Sequence, residues 1–382
     1  MKQTSLYAKI VVTVFLVLLF AMTLISVFIP DKDYSEREKR PLQTMPSFTL
    51  DSLLTRNQSM KFTQKYEDYV ADQFLLRNSF VSLKNNAELM LGKRDMNGIY
   101  IGNEGYLFSK ETEYDNARLQ ANLSAVSTFI NNASNAADLE NIAVTLVPDS
   151  SHILTEKLPS HASVYDYDKL QETASLALKD AYVSIKDNLV SHKEEDIYYK
   201  TDHHWTTLGA FYGYQSIAAK LGFSANDLSD YDSQIVSDHF IGTYASKVNL
   251  ELTGDSITRY DSKTGKVQSV ELDDKKFDSI YDENALQTAD QYNYFLYGNY
   301  PLTKITTSTE NGRTLLVIKD SYAHSIIPFL CDHYETILCV DLRHFRESTL
   351  KLCEDENVTD LLILYQATNF CKDSSLIQLN LA

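Results

Sequence analysis

Three side chains able to do nucleophilic and acid–base chemistry stand at strand–helix junctions of this 382-residue chain. Asp202 and His204 lie in the run Thr201-Asp202-His203-His204-Trp205, and Ser321 lies in Lys319-Asp320-Ser321-Tyr322. A carboxylate two residues from an imidazole can hold one ring nitrogen while the other faces a serine, the division of labour of a Ser-His-Asp triad. Asp196 to Lys200 reads as a short β segment before the pair. Thr206 or Thr207 can cap a following helix that carries Leu208, Ala210, Phe211 and Tyr214. The pair is therefore expected on a loop at a strand's C-terminal end, where open α/β sheets gather ligands.

Ser321 follows the apolar run Leu315 to Ile318 and precedes a helix expected over Ala323 to Leu330. A serine between a strand end and a helix start has backbone N–H groups and the positive end of the helix dipole beside it, which suits a nucleophile and its oxyanion hole. The chain order Asp, His, Ser is no obstacle, because the same constellation occurs in several orders. An Asp-Ser after a strand is more often only a helix cap, and Asp149-Ser150 after the run Ile142 to Val147 repeats the pattern with His152 nearby. Ser150 ranks second, because Pro148, Ile153 and Leu154 point to an irregular passage there. Metal binding is not expected: adjacent side chains such as His203 and His204 diverge, and no third ligand completes a set. Trp205, the only tryptophan, reads as packing beneath the loop, and the 25 tyrosines leave stacking on carbohydrate open.

These residues need a sheet to position them, and the pattern supplies one. A helix from about Asn116 to Ala137 feeds the strand Ile142 to Val147. A helix at Tyr167 to Leu178, a strand at Tyr182 to Ile185 and the strand leading into the Asp202 loop follow. After Leu315 to Ile318 come a strand at Thr336 to Val340, a helix around Arg346 to Glu354 and a last strand at Leu361 to Leu364. Alternation of this kind predicts a three-layer α/β domain with a parallel central sheet. The run Ile99 to Phe108, broken by Gly102-Asn103-Glu104-Gly105, is a hairpin signal. From Phe223 to Leu302, Ser, Asp, Thr and Tyr dominate around turn signals and predict a β-rich insertion. The expected organisation is a cytoplasmic tip and transmembrane anchor at 1–30, a stalk with helices at 31–95, an α/β domain in two parts at 96–222 and 303–382, and the insertion at 223–302.

The run from Ile10 to Ile29 is almost wholly apolar, about 20 residues and so about 30 Å of helix, enough to cross a bilayer. Lys2 and Lys9 before it place the N-terminus in the cytoplasm and the remainder outside. The run exceeds a signal-peptide core of roughly 7–15 residues, and Val27-Phe28-Ile29-Pro30 offers no small-x-small cleavage site, so an uncleaved anchor is expected. The formal charge is −17, or −19 with the two anchor lysines set aside, which argues against nucleic acid and anionic lipid as partners of the exported part. Cys331, Cys339, Cys353 and Cys371 show no metal-ligand spacing and are expected as buried free thiols.

The run Asp202 to Trp205 is the signature of the DHHW family, and further residues carry the resemblance: Ser35 to Leu42 after the anchor, Asp72-Gln73-Phe74 with Arg77, Gly105 to Phe108, and Leu315 to Pro328. The chain also resembles the SGNH-hydrolase-like proteins of alginate and other exopolysaccharide O-acetylation, which carry an Asp-x-His-Trp motif and, much later, a Ser-Tyr motif. That resemblance implies an SGNH-like fold with Asp202, His204 and Ser321 as the triad. It further implies acetyl transfer to a polysaccharide, no cofactor, and a membrane-bound O-acyltransferase partner that delivers acetyl groups. Lys319-Asp320 replaces the Gly-Thr that precedes the serine in the alginate proteins. Candidate substrate or oxyanion groups are Tyr322, Arg343 after the strand Thr336 to Val340, Tyr365 and Gln366 after the last strand, and Asn299 with Gly298. A carbohydrate esterase and a non-catalytic glycan-binding or assembly subunit are the alternatives. The first differs in whether water or a sugar hydroxyl takes the acyl group, and the second predicts that Ser321→Ala leaves function intact.

Overall fold

The computed structural model describes residues 2–57, 60–137 and 139–381. The chain forms two compact units, residues 1–93 with the short return 249–251, and the remainder.

The first unit opens with helix α1 (Lys2–Phe28), and its segment Leu6–Ser26, with a mean hydropathy of 2.6, is long and apolar enough to cross a membrane. Short helices α2 (Leu50–Leu54), α3 (Phe62–Gln73) and α4 (Arg77–Met90) follow. Charged residues of the Ser35 to Leu42 run and of the Asp72 to Arg77 run meet here. Arg40 grips Asp72 through both terminal nitrogens (2.6 and 2.9 Å) and Glu38 at 2.8 Å, while Arg77 reaches Glu38 at 2.5 Å. The hydrogen bond from Arg40 holds the Asp72 carboxyl below its usual range.

In the second unit a small antiparallel sheet pairs Asp95–Met96, Ile99–Ile101 and Leu107–Ser109. Its turn, Asn103–Gly105, includes Glu104 at φ 56. Helix α5 (Asn116–Ala136) leads into strand β1 (Asn141–Val147), and α6 spans Tyr167–Leu178. Helix α7 (Thr207–Ala218) begins at Thr206, whose side chain accepts a hydrogen bond from Gly209 N–H. Strands β2 (Tyr231–Phe240) and β3 (Asp255–Ser262) pair as a separate antiparallel hairpin. They are followed by β4 (Val267–Leu272), β5 (Lys275–Phe277), β6 (Leu302–Thr307), β7 (Thr314–Lys319), β8 (Thr336–Val340), helix α8 (Thr349–Asp355) and β9 (Asp360–Gln366).

The central sheet has seven strands in the order β5-β4-β6-β8-β7-β9-β1. It is mixed rather than parallel throughout. β8, β7, β9 and β1 are parallel neighbours, whereas β6, β4 and β5 add on antiparallel. The stretch expected as a β-rich insertion is thus divided, with β2 and β3 outside the sheet and β4 and β5 extending it. The strand expected at Tyr182 to Ile185 is one bridge from Tyr182 to Val144, and the segment before the Asp202 loop is one bridge from Tyr198 to Trp205.

Alternate residues of β7 point to opposite faces, the period-2 consequence of strand geometry. Leu315 and Val317 join a core with Trp205, Phe211, Tyr214 and Phe329, and Leu316 and Ile318 join one with Leu119, Phe129, Leu170 and Phe370. Helices therefore cover both faces, and the parallel strands, fully buried, read as unbroken apolar runs. All four cysteines are free and buried.

Candidate active site

The serine turn is built by the carboxylate of Asp320. Its Oδ1 accepts the N–H of Tyr322 at 2.9 Å, and its Oδ2 accepts the N–H of Gln366 at 3.1 Å and Asn369 Nδ2 at 2.9 Å. This fastens the end of β7 to the end of β9, and Ser321 opens a 3₁₀ turn (Ser321–Ile326) that passes into the short α-helix Ile327–Leu330. Ser321 is half-buried, whereas its neighbours Asp320 and Tyr322 are buried.

The Asp202 loop is held from below by a second carboxylate. Asp255 accepts the N–H of Lys200 at 2.8 Å, and the N–H and hydroxyl of Thr201 at 2.9 and 2.5 Å. Asp202 is buried, and all its lone-pair directions are used. Oδ1 accepts His204 N–H at 3.0 Å and lies 2.6 Å from His204 Nδ1, while Oδ2 accepts Thr243 N–H at 2.7 Å and the Thr243 hydroxyl at 3.0 Å. Gly242 permits that approach, because a Cβ there would sit 2.2 Å from Asp202 Cβ. His204 Nε2 is 2.9 Å from Ser321 Oγ. With Nδ1–H donated to Asp202, Nε2 is the acceptor and faces the serine hydroxyl.

The two loops are stitched together by their aromatic residues. Trp205 Nε1 donates to Tyr322 O at 2.9 Å, and the Tyr322 hydroxyl donates back to His203 O. Tyr292 lies flat on the His204 ring (centroids 3.7 Å apart, planes 9° from parallel), and its hydroxyl donates to Ser321 O at 3.2 Å. The imidazole is thus fixed by an in-plane carboxylate at one edge and an aromatic face on one side.

Burial, reinforced by the charge of His203, pushes His204 down to about 4, so the ring is neutral and basic at Nε2 near neutrality. Burial alone would raise Asp202, but the charges and hydrogen bonds of the two histidines outweigh it and hold the carboxyl well below its usual range. His203, with Nδ1 2.8 Å from the Thr243 hydroxyl and 3.4 Å from Asp202 Oδ1, is desolvated yet raised overall by that carboxylate. Behind the serine turn, buried Lys319 Nζ meets His324 Nε2 at 2.8 Å, and desolvation lowers both groups.

The other sequence candidates divide. Arg343 grips Asp341 with Nε and a terminal nitrogen (2.8 and 2.6 Å) and donates to Asn299 Oδ1 at 3.2 Å, so these two are brought together. The charge of Arg343 also acts on His204. Tyr322, Tyr365 and Gln366 are placed otherwise than expected. The Tyr322 hydroxyl is spent on His203 O, Tyr365 is buried within the core on the α5 face, and the Gln366 side chain is bonded to Asp149. Thr243, Asp255, Tyr292 and Asn369 are site residues the sequence reading missed. Gly242, needed for the close approach to Asp202, is a signal beside Thr243, whereas Tyr292 is one tyrosine among 25. Asp202, His203 and His204 are also close enough to share a cation, but the Nδ1 and Nε2 hydrogen bonds of His204 already occupy both its ring nitrogens.

Comparison with solved structures finds the same fold in a DHHW family protein from Eubacterium siraeum DSM 15702 (24% identity, 75% of this chain and 96% of that one, TM-score 0.64). Bacillus cereus PatB1, solved with a sulfonyl adduct, shares it too (23%, 74% and 97%, TM-score 0.59). The O-acetyltransferase domain of Pseudomonas putida AlgJ is a more remote likeness (13%, 72% and 93%, TM-score 0.46). Curated protein sequences give no match. The DHHW protein family matches residues 140–340, more than half of the chain and all of the Asp202, His204 and Ser321 geometry, and the chain belongs to that family.

Proposed function

We propose that this protein is an extracytoplasmic O-acetyltransferase that moves an acetyl group to a hydroxyl of a cell-surface or secreted polysaccharide through Ser321, His204 and Asp202. One observation carries the reading: the unbroken chain Asp202 Oδ1, His204 Nδ1, His204 Nε2, Ser321 Oγ, with links of 2.6 and 2.9 Å. In the first half-reaction Ser321 Oγ attacks the acyl carbonyl while Nε2 takes its proton, and Asp202 stabilises the imidazolium. The tetrahedral intermediate collapses as Nε2–H protonates the departing oxygen, which leaves an acetyl ester on Ser321. In the second half-reaction a sugar hydroxyl gives its proton to Nε2 and attacks that ester. Ser321 recovers the proton and the glycan keeps the acetyl group. The half-buried position of Ser321 over buried partners suits it to meet a polymer at the surface. Arg343, held by Asp341 and Asn299, is the candidate for charge stabilisation of the oxyanion.

The acetyl chemistry and the polysaccharide acceptor come from the resemblance to exopolysaccharide O-acetylation proteins. A sulfonyl adduct, as in the PatB1 structure, is what an activated serine forms with a sulfonylating reagent, and it agrees with a nucleophile in this fold. The helix Leu6–Ser26 is read as a membrane anchor with its N-terminus in the cytoplasm, and a membrane-bound O-acyltransferase as the source of acetyl groups. The test is a purified chain given an acetyl ester with and without an oligosaccharide acceptor. Acetylated oligosaccharide formed in excess of free acetate is expected. Acetate release insensitive to the acceptor identifies an esterase, and no turnover of either kind contradicts the proposal.

A further inference from the structure

The residues between the anchor helix and the α/β unit differ from everything after them. Among the described residues, 31–93 contain fourteen exposed large apolar side chains, including Phe48 (67% exposed), Leu54 (79%), Leu83 (66%) and Met90 (90%), whereas 94–382 contain six. Soluble surfaces scatter such residues singly, and a concentration of them marks something that covers them. Charge changes over the same boundary: 31–93 hold ten basic and nine acidic residues, while 94–382 hold 23 basic and 43 acidic. An apolar groove lies between α3 and α4, floored by Val70, Ala71, Phe74 and Phe80.

Hydrogen bonds tie this apolar segment to the end of the anchor. The Tyr69 hydroxyl donates to Asp31 Oδ1 at 3.0 Å, Lys32 N–H donates to Gln73 Oε1 at 3.0 Å, and Gln73 Nε2 returns a bond to Lys32 O at 2.9 Å. Asp31 is three residues past Phe28, the last residue of α1, and three residues of chain reach at most about 10 Å. The C-terminal half of α3 is therefore tethered within about 20 Å of the point where α1 ends, next to the face from which the chain leaves the bilayer.

We infer that α2, α3 and α4 form a collar that lies on the bilayer around the anchor, with side chains such as Leu54, Phe80 and Leu83 in the headgroup–acyl boundary. Lys and Arg beside interfacial apolar residues extend their ammonium or guanidinium groups to the headgroups while their stems stay in the apolar layer; Lys65 in α3 and Lys84, one turn from Phe80 in α4, are so placed. The collar fixes the height at which the chain leaves the membrane. The inference rests on reading α1 as a membrane anchor.

The test uses the full chain in vesicles of phosphatidylcholine and phosphatidylglycerol whose acyl chains carry bromine at a shallow or a deep position. Single added tryptophans are placed by Phe80→Trp and Leu83→Trp in α4, Phe15→Trp in α1 and Ile235→Trp in β2, against the constant background of buried Trp205. Phe80→Trp and Leu83→Trp are expected to lose about half their emission to shallow bromines, and Ile235→Trp none. Phe15→Trp is expected to respond to deep bromines. Quenching of Phe15→Trp with Phe80→Trp and Leu83→Trp at the level of Ile235→Trp overturns the collar and leaves the anchor standing, the outcome if a protein partner covers this surface. Absence of quenching at Phe15→Trp overturns the anchor and the collar together. Two α4 variants keep the result independent of a folding failure in either.

Discussion

Two turns on the central sheet share a sequence pattern and have opposite fates. β1 runs into Asp149-Ser150 and β7 runs into Asp320-Ser321, on parallel strands separated only by β9. At the second turn the Asp320 carboxylate is spent on backbone and Asn369 N–H groups, and Ser321 is left beside His204. At the first, Asp149 is surrounded by side chains: Tyr165 OH at 2.8 Å, Thr368 Oγ1 at 2.5 Å and the Gln366 amide. Ser150 is buried, and the His152 ring packs against Tyr165 and Tyr167 with Nε2 4.0 Å from Asp149. Strand-Asp-Ser is an architectural device of the sheet edge. The difference between its two copies is the histidine that a different loop brings within 2.9 Å of the Ser321 hydroxyl.

Breaking the comparison outright gives the largest expected effect. Ser321→Ala should lower acetyl-transfer kcat by on the order of 10⁴-fold or more, with Ser150→Ala within a small factor of the parent in the same assay. Asp202→Asn should cost about 10⁴-fold with the fold intact, because the amide no longer enforces the Nδ1–H tautomer. Tyr292→Leu removes the aromatic face without touching the hydrogen-bonded chain, and a misaligned imidazole should cost up to about 10²-fold in kcat. Tyr292→Phe, which keeps the stack and loses the hydroxyl's bonds to Ser321 O and Ser325 Oγ, should fall between that variant and the parent.

The pH profile sharpens the same contrast. His204 acts as a base only when neutral, and its downward shift means that kcat/KM falls with a midpoint of about 4 as pH is lowered, instead of near the ordinary histidine value of 6.5. His203→Asn removes a charge that pushes His204 down, so the midpoint should rise. The smallest effect is on stability. Trp205→Phe leaves Tyr322 O without its buried donor and should cost about 1–3 kcal/mol in denaturant unfolding, with kcat reduced only as far as the two loops lose register.

Much of this was legible because strong local signals coincide with the tertiary result. The helix at Tyr167 to Leu178 and the strand at Thr336 to Val340 are found at the expected residues, and the doubly buried strands are continuous apolar runs. Asp202, His204 and Ser321 stood out because each has a chemical type and a junction position. The antiparallel half of the sheet was not legible. β6 alternates buried and half-buried residues in Leu302 to Thr307, a pattern that fits a free hairpin equally well, and only pairing with β8 decides it. Tyr182 and Tyr198 lie in segments of strand composition that form single bridges, since composition does not reveal whether a partner edge is free. Tyr292 and Thr243 escaped because their roles come from contacts 88 and 41 residues away in sequence, with His204 and Asp202 respectively.

The most direct test of the central claim is to react the full chain with an acetyl donor, quench in acid and map the adduct by peptide mass spectrometry. The account predicts acetyl on Ser321, lost in Ser321→Ala, with Ser150 unmodified. Acetyl on Ser150, or continued transfer by Ser321→Ala, would contradict it.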